Sequence, residues 1–353
     1  MPFRIATSHY HVGHIIPAMV AKEMTYFEEE GLDDYEVVTG GLVPAIVERV
    51  ALRRAMKEKG IDIVADPKPS SVFTLRGQGE DIYIVGCWRN QHDFQFLGAR
   101  GLKGLKDLKG KRIGVRDYWA IDHAVMRVYL GRQGIDPEKD VTWLRGAHFH
   151  LAREVAADSL RKGMADCVPV PPSTVPGLLA EGYPLLLDTR QLYPNGMPVR
   201  VIATTRRVLE EKSEALEAYL RATIRAYWFI MDEEKNRGYI NALNRRLRRQ
   251  SPDEEEQKLG YLEGSSSATV LPLDGAPSIE GLQSMLAEAK EMGDVRPDFS
   301  LEDVLKLDPV RRAYETLRRK EDLASALKRA QELFHNSRRP LLSTASQEKS
   351  AER

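Results

Sequence analysis

Short runs rich in Val and Ile alternate with stretches of helical period through residues 1–205, and no other feature of the chain constrains its fold so strongly. Phe3-Arg-Ile-Ala-Thr7, Tyr35-Glu-Val-Val38, Ile61-Asp-Ile-Val-Ala65 and Ile82-Tyr-Ile-Val85 are the first such runs. Each is too short for a buried helix, so each reads as a strand. The period between them predicts helices over 16–30 and 44–59, ended by Gly31 and Gly60, which can take the left-handed conformation that closes a helix. Another helix opens at Asp66-Pro-Lys-Pro-Ser-Ser71, with Ser70 or Ser71 as its N-cap. Strand and helix in alternation predict an α/β fold on largely parallel sheets.

A Gly- and Lys-punctuated stretch, 98–111, separates this unit from a second of the same kind. There, strands are predicted at 112–116, 141–144, 167–170, 185–188 and 199–205, with helices at 120–130 and 151–162. From residue 209 onward the pattern is almost wholly helical. Leu216, Tyr219, Leu220, Thr223, Ile224, Tyr227 and Trp228 form one apolar stripe at three-and-four spacing, the mark of a core helix. Residues 337–353 read as a loose tail.

A chain of 353 residues can bury two sizeable cores. Lys plus Arg is 52 and Asp plus Glu is 52, so no global positive field exists to hold nucleic acid or an anionic membrane. No run of about 18 apolar residues is present to span a bilayer. The two cysteines, Cys87 and Cys167, sit in apolar strand-like runs and read as buried thiols. Neither common Gly-rich phosphate loop occurs, Gly40-Gly41 being a turn, so no cofactor is expected. Pro2-Phe-Arg-Ile-Ala-Thr7 already reads as a strand, which places the chain as written in the cytoplasm, or in the periplasm if an export leader is missing. A monomer or weak dimer is expected.

In open α/β sheets, ligands settle where strands end and helices begin, because helix N-termini offer unpaired N–H donors there. That rule selects His9, Tyr10 and His11 after the first strand, Thr39 and Gly40 after the second, and Asp66 after the third. In the second unit it selects Arg116, Tyr118 and Trp119, then His148, then Pro171; Trp88 and Arg89 lie near the crossing between units. The aromatic residues among them either wall a cleft for an aromatic or heterocyclic solute or simply fill cores. Arg89 and Arg116 either fork onto a carboxylate or sulfonate or make surface ion pairs.

Histidine usage is unusual: His9, His11 and His14 fall within six residues, and His148-Phe-His150 adds two more. Three readings stand. His9, His11 and His14, joined by His123 or a carboxylate, could ligate Zn²⁺, though the spacing matches no closed metal motif. One of His9, His11 and His148 could be a general acid or base, or a hydrogen-bond partner of a ligand. Or all are polar loop residues that cap helices.

Several segments resemble one family. Glu23-Met-Thr-Tyr-Phe-Glu-Glu-Glu-Gly-Leu32 resembles the first helix end of the nitrate, sulfonate and taurine family of ABC-transporter substrate-binding proteins. Leu105-Lys-Asp-Leu-Lys-Gly-Lys-Arg-Ile-Gly-Val115 is similar to that superfamily's entry into its second lobe. Gly60-Ile-Asp-Ile-Val-Ala-Asp-Pro67, Gly163-Met-Ala-Asp-Cys167, and Val201-Ile-Ala-Thr-Thr205 followed by the 213–231 helix are similar too. The resemblance spans about 3–292 and implies a two-lobed type II periplasmic-binding-protein fold with a helical C-terminal extension. It divides the chain into a first lobe, 1–95 plus 200–295, a second lobe, 96–199, an extension, 296–336, and the tail.

The function implied is solute binding in an inter-lobe cleft, as the receptor of an ABC importer, with a permease as partner. The alternative is a cytosolic lyase on the same fold, such as a decarboxylase, hydro-lyase or desulfinase acting on an aromatic acid. Related pyrimidine-precursor synthases carry a cysteine-rich run that is missing after Asp188, and aryl desulfinases place a cysteine where Ser8-His-Tyr10 stands. Fold alone does not choose between receptor and lyase.

Overall fold

The computed structural model describes residues 1–7, 12–38, 48–58, 60–91, 94–116, 121–146, 155–171, 174–249 and 270–337. The chain runs β1 (Phe3–Ala6), α1 (Val12–Glu23), α2 (Tyr26–Glu29), β2 (Tyr35–Val38), α3 (Glu48–Glu58), β3 (Ile63–Val64), α4 (Pro69–Gly77), β4 (Tyr83–Arg89) and β5 (Gln95–Gly98). It continues through β6 (Arg112–Val115), α5 (Ile121–Arg132), β7 (Thr142–Arg145), α6 (Val155–Arg161), β8 (Cys167–Val170), α7 (Val175–Ala180), β9 (Leu185–Asp188), α8 (Thr189–Leu192) and β10 (Arg200–Thr204). Helices follow: α9 (Arg206–Glu211), α10 (Ser213–Met231), α11 (Glu233–Arg249), α12 (Ile279–Glu291), α13 (Asp308–Arg318) and α14 (Ala324–Ser337).

Two mixed five-stranded sheets result, ordered β2-β1-β3-β10-β4 and β7-β6-β8-β5-β9. In each, four strands joined by helical crossovers run the same way, and one later or earlier strand enters antiparallel: β10 in the first, β5 in the second. Gln95–Gly98 pairs with β8 and β9, so the second sheet takes up the chain ahead of the punctuated 98–111 stretch. Gln-Phe-Leu-Gly is buried on both faces, so it lacks the alternation by which a strand is recognised.

Residues 16–30 do not form one helix. Thr25 takes φ 55°, and its hydroxyl donates to the Met24 carbonyl at 2.8 Å, splitting α1 from α2. The break turns Phe27 inward, 4.8 Å from the Tyr35 ring and 5.9 Å from that of Tyr219, and such aromatic contacts offset a strained residue. Gly31, at φ 89°, then closes α2 as expected, with the Leu32 N–H reaching back to the Phe27 carbonyl.

The expected single stripe of α10 is too narrow. Ala218, Ala222, Ala226 and Ile230 are buried along with it, so α10 is covered almost all round, as a central helix must be. α1 packs on one side of it, and α13 and α14 on another. The C-terminal helices thus complete the first lobe's core, contributing Val310, Ala313, Leu317 and Ala330. The chain between α12 and α13 also covers the edge of β4, where Ile84 N–H donates to Val304 and Lys306 N–H to Ile84, both at 2.9 Å. An exposed strand edge would otherwise pair with other chains. The tail lies outside the described residues from 338 onward.

Candidate functional site

Both passages between the sheets leave and arrive at the same ends of the strands. β4 ends at Arg89 and β5 begins at Gln95; β9 ends at Asp188 and β10 begins at Arg200. Arg89 pairs with Arg200 in one sheet, and Gln95 with Val170 and Asp188 in the other. The carboxyl ends of β1 and β3 are thereby set toward those of β6 and β8. The passages are tied to each other: Val199 N–H donates to the Arg89 carbonyl at 2.9 Å and Met197 N–H to that of Asn90 at 2.8 Å. The Thr189 hydroxyl donates to the Phe94 carbonyl at 2.7 Å and accepts the Phe94 N–H at 3.3 Å. A paired strap of this kind is stiff within itself and bends only at its ends, as a hinge requires.

Helix α4 follows β3 at these ends, so its N-terminus lies there and favours negative charge. The side chains add to that field. Lys68, Arg89 and Arg200 stand at the end of the first sheet, and Arg116, Arg145 and Arg190 at that of the second. The acids at the same ends are Asp66, Asp122 and Asp188, all buried. Asp188 is matched locally, accepting from the Arg190 N–H and the Gln95 Nε2 at 3.0 Å each. Asp122 Oδ2 accepts the Arg116 N–H at 2.9 Å, which ties the end of β6 to the first turn of α5, while its Oδ1 has no hydrogen-bond partner among the described residues. Burial pushes the Asp122 carboxyl above the usual carboxylate range, and the nearby Arg116 opposes this only in part. Among the described residues the facing ends are therefore net positive.

The structure brings Asp66, Arg89, Arg116 and Pro171 to these facing ends. Trp88 is 5% exposed and packs in the first lobe's core. His123 is buried on α5 with its ring 4.6 Å from that of Trp143. His9, Tyr10, His11, Thr39, Gly40, Tyr118, Trp119 and His148 lie outside the described residues, as does the side chain of His14. Among the described residues no group of three His, Cys, Asp or Glu could hold a metal. Cys87 and Cys167 are free and buried, and burial pushes both thiols up, so neither is a ready nucleophile.

Sequence reasoning misses Gln95, Asp122, Arg145, Asp188 and Arg200 at these ends. Gln95 and Arg200 sit where antiparallel strands begin, and a rule that looks only past the ends of strands passes over them. Asp122 stands in the first turn of a predicted helix, a position that usually faces solvent.

Residues 13–236 match the family described as NMT1/THI5 like, well over half of the chain. The chain belongs to that family. Solved structures share its fold at low identity. The periplasmic aliphatic sulphonate binding protein SsuA from Escherichia coli superposes with a TM-score of 0.55 at 16% identity, over 86% of this chain and 92% of that one. The periplasmic nitrate-binding protein NrtA from Synechocystis PCC 6803 gives 0.58 at 16% identity, over 92% and 90%. The two-lobed periplasmic-binding-protein fold implied by the sequence is thus the fold of the chain. A curated relative, 4,5-dihydroxyphthalate decarboxylase from Pseudomonas putida, is 32% identical over 89 residues. That match spans 24% of this chain and about a third of the relative, 33%. No helix among the described residues is long and apolar enough to cross a membrane.

Proposed function

We propose that this chain binds a small organic anion, a carboxylate or sulfonate, between its two lobes, as the substrate-binding component of an ABC import system. The observation that carries this reading is the placement of Lys68, Arg89 and Arg200 at the ends of the first sheet's strands and of Arg116, Arg145 and Arg190 at the corresponding ends of the second. Cations shared between two lobes gain most when the lobes close on the anion and water leaves, because charge-assisted hydrogen bonds strengthen in a drier site. The sulphonate- and nitrate-binding proteins that share the fold support the same ligand charge. In this role the protein works outside the inner membrane, as a monomer or weak dimer, and hands its solute to a permease.

A second reading, a lyase acting on an aromatic acid, is favoured by one finding, the partial match to a decarboxylase. One experiment separates the two. Benzoates, phthalates, arenesulfonates, alkanesulfonates and nitrate are screened by thermal shift; saturation at a hundred times the dissociation constant adds about 2.7 kcal/mol of stability. Each binder is then incubated with the protein and recovered by mass spectrometry. A receptor returns it unchanged. Multiple-turnover release of carbon dioxide or sulfite establishes the lyase instead, and a screen in which only cations or neutral solutes bind overturns the anion reading.

A further inference from the structure

Helix α12 carries two stripes of contacts. Leu282, Leu286 and Ala289 lie in the core shared with α4 and β10 of the first lobe. Gly281, Met285 and Glu288, one residue earlier in each case, meet the inter-lobe strap and the second lobe. A Cβ on Gly281 would stand 2.3 Å from the Gly196 carbonyl oxygen, so the helix rests directly on the second passage. Met285 packs against the cores of both lobes. Tyr193, buried in the second lobe's core, donates its hydroxyl to both oxygens of Glu288, at 2.7 and 2.8 Å. Arg132, in the last turn of α5, reaches Glu291 at 3.2 Å and Glu288 at 3.9 Å.

We propose that α12 is a third, non-covalent connection between the lobes, and that its Tyr193–Glu288–Arg132–Glu291 contact limits how far they rotate about the two-stranded strap. Two passages that run side by side define an axis and leave rotation about it free. A helix fastened to one lobe along its length and to the other through a side-chain cluster removes that freedom until the cluster lets go. Packed contacts of this kind release in discrete steps rather than stretching. The groups facing Glu288 are Tyr193, Arg132, Tyr129 and Glu291. Burial pushes its carboxyl upward, and Tyr193 and Arg132 oppose this. The inference goes beyond the proposed function and does not depend on which solute is bound.

The test uses the full chain without ligand. Lys57→Cys on α3 and Lys162→Cys beyond α6, both at well exposed side chains, take spin labels. The native Cys87 and Cys167 are buried and do not compete. Pulsed electron double resonance then reads the inter-lobe distance distribution. The double substitution Tyr193→Phe, Glu288→Gln is expected to broaden it about twofold, since a lost restraint widens the population whichever arrangement it favoured. Arg161→Gln breaks an ion pair with Glu181 inside the second lobe and should leave the width unchanged. An unchanged width in the double variant overturns the proposal, and so does equal broadening by Arg161→Gln. Should the double variant fail to fold by circular dichroism, Arg132→Gln, at a half-exposed position, carries the same expectation and the same refutation.

Discussion

The two ends of the first lobe's sheet treat buried charge in opposite ways. At the end away from the second lobe, Asp62 accepts from the Arg4 N–H at 3.0 Å, Arg207 at 2.7 Å and Lys212 at 2.9 Å. Nearby on the same lobe, Glu30 is held by Arg221, Arg225 and Lys320, at 2.9, 2.8 and 2.7 Å. Burial works against both charges, but the hydrogen bonds prevail and hold both carboxyls below their ordinary values. At the inter-lobe end the balance tips the other way: among the described residues cations outnumber acids, and across the strap Asp122 keeps one oxygen unpartnered. One end is matched within the chain and serves stability. Among the described residues the other carries more cations than acids where the two lobes face each other, and such a balance suits an anion.

Breaking the matched end should cost most. Glu30→Gln leaves Arg221, Arg225 and Lys320 around a neutral amide and unfastens Lys320, just beyond α13, from the end of α2. A loss of about 3 kcal/mol is expected in urea unfolding, in the range for removing one partner of a buried ion pair. Affinity for any anion found by the screen should stay within about twofold, because the cluster lies outside the cleft. A small stability loss with a large affinity loss would erase the distinction between the ends.

The converse substitution acts at the surplus end. Arg116→Gln and Arg89→Gln should each weaken binding of that anion about tenfold, equivalent to about 1.4 kcal/mol, while unfolding midpoints barely move. Titration calorimetry beside urea unfolding checks this. Equal binding by both variants would remove these arginines from the cleft.

Acid separates the ends by sign. Depressed carboxyls such as Glu30 and Asp62 contribute stability that is present above the ordinary carboxylate range and lost as pH falls through their folded values. The raised carboxyl of Asp122 does the reverse, costing stability at neutral pH and returning it as pH falls toward its ordinary value. Wild type should therefore gain slightly as pH falls toward the ordinary carboxylate range and lose stability as it falls below that range. Asp122→Asn should reduce the gain, the raised carboxyl of Glu288 keeping part of it, and Glu30→Gln should flatten the loss, both read from urea midpoints across pH. Identical profiles for all three proteins would show that these carboxyls do not govern the acid response.

The smallest effect is expected where charge is paired but exposed. Arg311→Gln removes the Asp308 pair at 3.2 Å, both side chains being well exposed, and should change stability by less than about 0.5 kcal/mol. A larger change would mean that pairing alone, without burial, distinguishes the stabilising clusters.

Most strands and the central helix are legible in the order of residues. The runs at 167–170 and 185–188 and the helix at 213–231 match their observed bounds, because apolar period and bounding turns are local properties. The break at Thr25 is not legible, since it depends on Phe27 finding Tyr219 far along the chain. Nor is the strand at Gln95, whose identity comes from being covered on both faces by other strands and helices. For the candidate site, following strands to their ends points to Asp66, Arg116 and Pro171, and the crossing between the units points to Arg89. It does not find Arg200 and Gln95, because only pairing reveals that β10 and β5 run backwards and begin where their neighbours finish.

The sequence by itself determined the alternation of strand and helix, two cores, buried thiols, and the family to which the chain belongs. These follow from which residues leave water and at what period, and that is written in the order of side chains. Tertiary structure alone decided that the two sheets turn the same strand ends toward each other, that the C-terminal helices close the first lobe, and that α12 reaches across to the second. Each of these joins residues on the order of a hundred positions apart, and no local pattern records such a contact because its energy exists only once both partners are in place.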